Sequence, residues 1–148
     1  KESAQAALTF VRSQSQSLDL AETFFEEHDI HIHVPEGSIA KDGPSAGIAM
    51  ATAMMSLFSG RAVRREVAMT GEITLLGDVL PIGGLKEKIL AARRAGIRQV
   101  LVPKLNNQEL QELSNTLFKA IRLIPVDDVK EVFSIALASR KRSLAKGK

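Results

Sequence analysis

The sequence predicts a single α/β domain in which helices pack on a mixed β-sheet. A length of 148 residues suits one domain. With 45% hydrophobic and 25% charged residues, the chain has the composition of a protein that folds around an apolar core. Helix-like and strand-like segments alternate along it, without an internal repeat or a linker to a second domain. These three observations favour helices layered on a sheet.

The first part of the chain predicts a helix, a strand and a second helix. Residues 3–14 carry apolar side chains at helical spacing, followed by a Ser/Gln-rich loop. Residues 29–34 alternate between branched aliphatic residues and polar ones, which is typical of a half-buried strand. Residues 44–58 are rich in Ala and Met, begin with Pro44 and are closed by Gly60, which indicates a buried helix with proline in its first turn. The apolar side chains of the first helix are Ala4, Ala7, Leu8 and Val11.

The rest of the chain predicts alternating strands and helices. The predicted strands are 67–74, 76–81, 100–102 and 120–125. The predicted helices are 85–95, stopped by Gly96, and 106–113. A last helix opens at Asp127-Asp128 and turns an apolar stripe inward. That stripe consists of Val129, Val132, Phe133 and Ala136.

Cysteine and charge exclude several kinds of site. Because the chain has no cysteine, disulfides, thiolate metal sites and cysteine nucleophiles are excluded, and a nucleophile must be an oxygen. The net charge of +3 comes from a basic tail, residues 139–148, since the remainder has fewer basic than acidic residues. The tail lacks aromatic residues that could stack on bases, so we predict at most weak, salt-sensitive binding of DNA by the tail. No apolar run approaches the roughly 18 residues of a membrane span, and we expect no membrane contact.

A serine lies at the N-terminal end of the second predicted helix. Ser45 sits within Lys-Asp-Gly-Pro-Ser-Ala-Gly, residues 41–47. The first amides of a helix lack intrahelical partners, so they could hold a developing oxyanion beside this serine. Gly43 and Gly47 would let a substrate backbone approach closely. A simple helix-capping serine has the same local pattern, so the segment alone leaves both interpretations open.

A serine nucleophile needs a base, and a lysine is the better candidate in this chain. There are only three histidines. A lysine acts as a base when burial lowers its pKa toward neutrality. On the predicted helix 85–95, Lys88 falls within the apolar stripe, whereas Lys86 falls on the polar side near Arg93. The stripe consists of Leu85, Ile89, Ala92 and Ala95.

Four ordered motifs resemble the Lon proteases (endopeptidase La). They are His-Val-Pro-Glu-Gly at 33–37, Lys-Asp-Gly-Pro-Ser-Ala-Gly at 41–47, Met-Thr-Gly-Glu-Ile at 69–73 and Leu-Pro-Ile-Gly-Gly-Leu-Lys-Glu-Lys at 80–88. The resemblance runs from about residue 3 to 138 and is to the bacterial and mitochondrial branch. It implies the C-terminal proteolytic domain of an ATP-dependent serine endopeptidase. The fold it implies is the Lon-protease type, similar to domain 2 of ribosomal protein S5.

By this resemblance, Ser45 is the nucleophile and Lys88 the general base of a Ser-Lys dyad that requires no metal. Peptidase activity is then expected to rise with pH, because only the neutral amine accepts a proton. Thr70 matches a position where its hydroxyl could orient the lysine amine, although a β-branched residue also simply suits a strand. Asp42 could pair with Lys88 in an inactive resting state, or only form the turn before Gly43.

Several further residues are expected to line the substrate cleft. His31 and His33 share one face of the predicted strand, but two histidines without a clear third ligand seldom bind a metal. The resemblance implies instead that this strand borders the cleft. The remaining cleft-lining candidates are Glu36, Glu72, Gly43 and Ala46.

The resemblance also implies parts outside this chain. The chain holds no Gly-x-x-x-x-Gly-Lys-Ser/Thr loop, so ATP and Mg²⁺ are expected in an ATPase part of a longer protein. The proteolytic domain is expected at 1–138, truncated at its start relative to the family, with the basic tail at 139–148. We expect a homohexamer that degrades misfolded, damaged and regulatory proteins, in bacterial cytoplasm rather than the mitochondrial matrix. The alternative is a non-catalytic Lon-like scaffold module of an ATPase assembly, which should lack the serine and the lysine.

Overall fold

The computed structural model describes residues 2–18, 20–21, 23–33, 43–114 and 120–139. The helices in these ranges are α1 Glu2–Ser13, α2 Phe24–Glu27, α3 Gly47–Ser59, α4 Leu85–Arg94, α5 Asn107–Ser114 and α6 Val129–Ala136. The strands are β1 Val67–Met69, β2 Glu72–Ile73, β3 Val79–Leu80, β4 Gln99–Pro103 and β5 Arg122–Val126. Two 3₁₀ turns span Ser15–Leu18 and Lys104–Asn106. None of the helices in the described ranges is both long and apolar enough to cross a membrane.

The strands in the described ranges form two sheets, so the prediction of one mixed sheet is wrong for these residues. Strands β1, β4 and β5 pair in parallel, in the order β1-β4-β5. Strands β2 and β3 pair with each other in an antiparallel hairpin. The α/β class is confirmed, because parallel strands need crossover connections and helices supply them here. The hairpin is joined to the chain directly after β5 by an isolated antiparallel bridge between Asp78 and Asp128.

The predicted strand 67–74 is divided at Thr70 and Gly71. The Thr70 N–H still continues the parallel pairing, donating to the Leu101 carbonyl at 3.1 Å. The next amide, that of Gly71, turns away and donates to the Ser45 carbonyl at 2.9 Å. The chain therefore leaves the sheet at this point to contact the turn before α3, and β2 begins afterwards with a different partner.

The hairpin is also shorter than the predicted strand 76–81. The Thr74 hydroxyl oxygen accepts from the Asp78 N–H at 3.0 Å and donates to its carboxylate at 2.9 Å. These bonds close a tight turn over residues 74–78, which leaves only Val79 and Leu80 to pair as β3. Side-chain bonds of this kind compete locally with strand pairing.

Hydrophobic clusters cover both faces of the parallel sheet. Because side chains alternate along a strand, Leu101 of β4 points into one cluster while Val100 and Val102 point into the other. We call the first the α3 core, since it joins α1, α3, α6 and the hairpin, and the second the α4 core, since it joins α4 and α5. The sheet thus separates two helical layers.

Phe10 is the main apolar anchor of α1 and was missed by the predicted stripe. Ala7 and Val11 are buried as expected, but Phe10 is only 2% exposed and far larger. Its ring lies 6.3 Å from that of Phe133 on α6. The hairpin turn packs on it too, because a Cβ on Gly77 would lie 2.4 Å from the Phe10 ring, and Gly77 has φ +98°. The ring therefore joins α1, α6 and the hairpin.

Helix α3 begins at Gly47, three residues later than predicted. The Gly47 N–H donates to the Pro44 carbonyl at 3.1 Å, so residues 44–47 form a turn ahead of the helix. An α-helix from Pro44 would need the Ser45 carbonyl to accept from within the helix. That carbonyl is turned to Gly71 instead, which explains the later start.

Residues 29–33, the described part of the predicted strand 29–34, do not form a strand. Their side chains do alternate, with Ile30 and Ile32 half-buried and His31 and His33 exposed. A strand, however, also needs the backbone of a neighbour, and no strand within the described ranges pairs with this segment. The alternation therefore predicted burial correctly and pairing wrongly. The end of the predicted strand, Val34, lies outside the described residues.

The last helices agree with the prediction. Gly96, at φ +74°, follows α4, and α5 begins one residue later than predicted. The Asp128 carboxylate caps α6 by accepting from the Lys130 N–H at 2.7 Å. All four residues predicted to face inward on α6 are buried. The basic tail beyond residue 139 lies outside the described residues.

Candidate active site

Ser45 lies in the turn before α3 and is half-buried. Its carbonyl accepts two hydrogen bonds, from the Gly71 N–H at 2.9 Å and the Thr70 hydroxyl at 3.2 Å. The Gly71 carbonyl in turn accepts from the Ile48 N–H at 3.2 Å. The turn is therefore fixed to the link between β1 and β2, and the serine side chain extends from an anchored backbone.

The Gly47 and Ile48 amides at the start of α3 are not free to hold an oxyanion. The Gly47 N–H donates to Pro44, and the Ile48 N–H donates to Gly71. Both donors are used to hold the turn in place. Neither of these two amides is therefore a free donor for an oxyanion.

Lys88 lies in the first turn of α4 and is half-buried. The Lys88 backbone N–H donates to the Gly84 carbonyl at 3.3 Å. This hydrogen bond lies at the start of the helix. The predicted apolar stripe is confirmed for Leu85, Ile89 and Ala92, which are buried in the α4 core, and wrong for Ala95, which is exposed because the helix ends at Arg94. No described residue forms an ion pair with the Lys88 amine. Its predicted partner Asp42 lies outside the described residues.

Ser45 and Lys88 line the same pocket, which has a volume of about 390 Å³. The predicted cleft residues Gly43 and Glu72 line it as well. Four further lining residues were not predicted as part of the site: Pro44, Pro81, Ile82 and Gly83. Three of these belong to the loop before α4. They could have been predicted from the sequence, since Pro-Ile-Gly-Gly directly precedes the helix of the candidate base.

Thr70 is buried, at 5% exposure, behind the serine. Its hydroxyl donates to the Ser45 carbonyl, whereas the sequence interpretation had it orient the lysine amine. The side chain therefore holds the backbone of Ser45 in this structure. A β-branched residue that merely suited a strand would not require this bond.

An apolar groove includes the residue that follows Ser45 in the chain. Its walls are the segment 30–33, including the predicted cleft residues His31 and His33, and the exposed side of α3. Ala46, the residue after Ser45, lies at one end of it, and the groove volume is about 390 Å³. The last predicted cleft residue, Glu36, lies outside the described residues. In the ranges the structure describes, no three His, Asp or Glu side chains are grouped so as to hold a metal ion.

Comparison with known proteins gives a family match over nearly the whole chain. The family model of the Lon protease (S16) C-terminal proteolytic domain matches residues 1–139. Proteins named Lon protease from Buchnera aphidicola and Escherichia coli K12 are 55% and 54% identical to this chain over 137 residues, which is 93% of this chain and 18% of each relative. The Lon protease of Chloroflexus aurantiacus is 58% identical over 137 residues, covering 93% of this chain and 17% of the relative. The chain thus spans less than a fifth of the length of these relatives. It belongs to the family of Lon protease C-terminal proteolytic domains.

Proposed function

We propose that this domain is the proteolytic part of an ATP-dependent serine endopeptidase, with Ser45 as nucleophile and Lys88 as general base. The observation that carries the proposal is the shared pocket, to which an anchored turn contributes the serine and the first turn of α4 contributes the lysine. A nucleophile and a base brought together from separate elements are the arrangement that covalent catalysis requires. A scaffold module would have no need of this pair.

The reaction follows from the properties of the two groups. The neutral Lys88 amine accepts the hydroxyl proton as Ser45 Oγ forms a bond to the carbonyl carbon of the substrate peptide. The tetrahedral intermediate collapses, the C–N bond breaks, and the ammonium returns its proton to the leaving amine. Water, deprotonated by the same amine, then hydrolyses the ester that links the acyl group to Ser45. The half-buried position of Lys88 without an acidic partner in the described ranges suits a base that must be neutral to act.

The remaining expectations concern the longer protein. We propose an ATPase part that binds ATP and Mg²⁺, a homohexameric assembly, and substrates that are misfolded, damaged or regulatory proteins. We also propose a location in bacterial cytoplasm and the Lon-type fold similar to domain 2 of ribosomal protein S5. Support comes from the relatives named Lon protease, of which this chain is less than a fifth.

The proposed covalent step can be tested by trapping the acyl-enzyme. We expect a peptide ester with a good leaving group to acylate Ser45, because attack becomes fast relative to hydrolysis of the product ester. After an acid quench, trypsin should release residues 42–61, which contain Ser45, Ser56 and Ser59. Tandem mass spectrometry is expected to find the acyl mass on Ser45, and no acylation of this peptide in a Ser45→Ala variant. Ester turnover without a Ser45 adduct at any quench time, or an adduct on another residue, would exclude this nucleophile.

The Thr70 hydroxyl gives a second test. Thr70→Val keeps the shape of the side chain but removes its bond to the Ser45 carbonyl, so we expect kcat for peptide hydrolysis to fall about tenfold. The free energy of unfolding should fall by only about 1 kcal/mol, because the Gly71 N–H still pairs with that carbonyl. Thr70→Ser should recover most of the rate.

Thr52→Val is the matched control. Thr52 is equally buried, at 1% exposure, and its hydroxyl donates to the Ile48 carbonyl at 2.7 Å, within α3. The same chemical change there should alter stability by a similar amount and leave kcat unchanged. Equal losses of kcat in both variants would show that Thr70 has only a general structural role.

A further inference from the structure

The loop before α4 is held by a side chain from a distant part of the chain. Asn106, in the 3₁₀ turn after β4, accepts from the Ile82 N–H at 3.1 Å through Oδ1. Its Nδ2 donates to the Ile82 carbonyl at 2.9 Å. One side-chain amide thus satisfies both backbone groups of a single residue, as a neighbouring strand would.

The orientation of the Asn106 amide is determined by its partners. A donor faces Oδ1, and two acceptors face Nδ2, because the Glu109 carboxylate lies 3.3 Å from Nδ2 in addition to the Ile82 carbonyl. Reversing the amide would place acceptor against acceptor and donor against donor. Three of the four hydrogen-bonding positions of the amide are therefore used in one fixed direction.

The residue that Asn106 holds is part of the candidate active site. Ile82 lines the pocket together with Ser45 and Lys88, and its side chain is buried in the α4 core. Two residues later, Gly84 precedes α4 at φ +67°, and its carbonyl accepts the Lys88 N–H. A displacement of Ile82 would therefore move the pocket wall and the first turn of α4 together.

We infer that Asn106 is a positioning residue for the proposed reaction: its amide, by bonding both backbone groups of Ile82, fixes the 81–84 wall of the pocket and the turn that carries Lys88. The inference rests on the proposed function. Asn106 does not line the pocket and acts only through Ile82. Small displacements of catalytic groups reduce the rate strongly, so loss of the hydrogen bonds from Asn106 to Ile82 should mainly lower kcat.

The test uses two variants in the full-length protein. Asn106→Ala removes all three bonds, whereas Asn106→Asp keeps the size of the side chain and the acceptor for the Ile82 N–H. A carboxylate at 106 would face the Ile82 carbonyl and the Glu109 carboxylate, so the donor bonds are lost in that variant too. We expect kcat for a fluorogenic peptide to fall about 10- to 100-fold in both, with KM changed less than kcat. Hydrogen exchange at the Ile82 amide should become faster in Asn106→Ala, which loses the acceptor of that N–H.

Ser56→Ala is the matched control for lost stability. The Ser56 hydroxyl donates to the Arg61 carbonyl at 2.6 Å, at the end of α3 remote from Ser45. This variant should lose a comparable half-buried bond without changing kcat. If kcat falls as much in Ser56→Ala, or does not fall in the Asn106 variants, the inference is overturned.

The outcome also separates this inference from the proposed function. Cleavage by the wild type that disappears in Ser45→Ala establishes the function, and normal rates in the Asn106 variants would then reject the positioning role alone. If the wild type shows no Ser45-dependent cleavage, the proposed function fails, and with it the catalytic part of the inference. Unchanged hydrogen exchange at the Ile82 amide in Asn106→Ala would show, in either case, that Asn106 does not hold the Ile82 backbone.

Discussion

Replacing Lys88 by alanine is expected to reduce kcat for peptide hydrolysis about 10⁴-fold or more. Without the amine, no group in the proposed mechanism removes the proton from the Ser45 hydroxyl, and the neutral hydroxyl is a weak nucleophile. Losses of this size are usual when one member of a nucleophile and base pair is removed. Steady-state cleavage of a fluorogenic peptide by the full-length protein with ATP measures the effect, with ATPase activity and assembly checked in the same samples.

The pairing of the two groups predicts strong non-additivity. Ser45→Ala should be as inactive as Lys88→Ala, and the double variant should be no worse than either, because both changes remove the same step. Lys86→Ala is the matched control, since Lys86 is exposed two positions earlier on the same helix and does not line the pocket. Substantial activity in Lys88→Ala would require another base and would contradict the proposed dyad.

The pH dependence gives an independent test of the same base. The fraction of amine in the neutral form increases as pH rises, so wild-type kcat should rise with pH across the range in which the protein remains folded. A rate that is highest on the acid side would contradict the role proposed for Lys88. The Lys86→Ala variant should follow the wild-type profile, since its amine takes no part in the reaction.

The second large effect is expected in the α3 core. Phe10→Ala should lower the free energy of unfolding by about 3–5 kcal/mol, because it removes a buried ring and leaves a cavity between α1, α6 and the hairpin. Urea unfolding of the isolated domain, followed by circular dichroism, measures this loss. Phe10→Leu should cost much less, since most of the volume is kept.

Phe25 provides the comparison within the same protein. It is half-buried, and its ring contacts Phe24, Phe58 and the Arg12 guanidinium near the surface. Phe25→Ala should therefore cost about 1 kcal/mol, since neighbouring side chains and water can occupy the space. A loss at Phe10 no larger than that at Phe25 would show that the Phe10 ring is not the anchor of the α3 core.

Local patterns predicted most of the described helices, because their signals are contained in each segment, but missed the short helix α2. In α6, the capping Asp128 and the apolar spacing lie within a few residues, and both were correct. In α4, the same periodicity distinguishes Lys88 from Lys86, and Lys88 is the one of the two that lines the pocket. The stripe failed only at Ala95, where the helix had already ended.

The arrangement of strands was harder to predict because pairing depends on distant partners. The segment 67–74 has a continuous strand composition, yet Gly71 leaves the sheet to bond Ser45, which is 26 positions earlier in the chain. Residues 29–33 have the alternation of a strand, but no strand in the described ranges pairs with them. Periodicity reports which side of a segment is buried, and it contains no information about which backbone groups will meet.

The candidate site shows the same difference between local signals, which can be predicted, and contacts with distant parts of the chain, which cannot. Ser45 and Lys88 could be selected from their motifs and spacing, and the structure places them on one pocket. The groups that hold them in place could not be selected, because the bond from Thr70 to Ser45 spans 25 positions and the bonds from Asn106 to Ile82 span 24. The pairing of the Gly47 and Ile48 amides likewise depends on acceptors that helical spacing does not reveal.

The two sides of the pocket belong to different hydrophobic layers. The turn of Ser45 leads into α3 and its core, whereas Lys88 belongs to the helix that fills the α4 core, and the parallel sheet lies between them. Each layer can accept substitutions that preserve its own packing, so selection for folding alone would let the two cores drift independently. Selection for catalysis adds a constraint across the sheet, because a shift of either layer changes the separation of hydroxyl and amine. Substitutions in the two cores should therefore be correlated among active enzymes. They should be independent in a relative that has lost the catalytic activity.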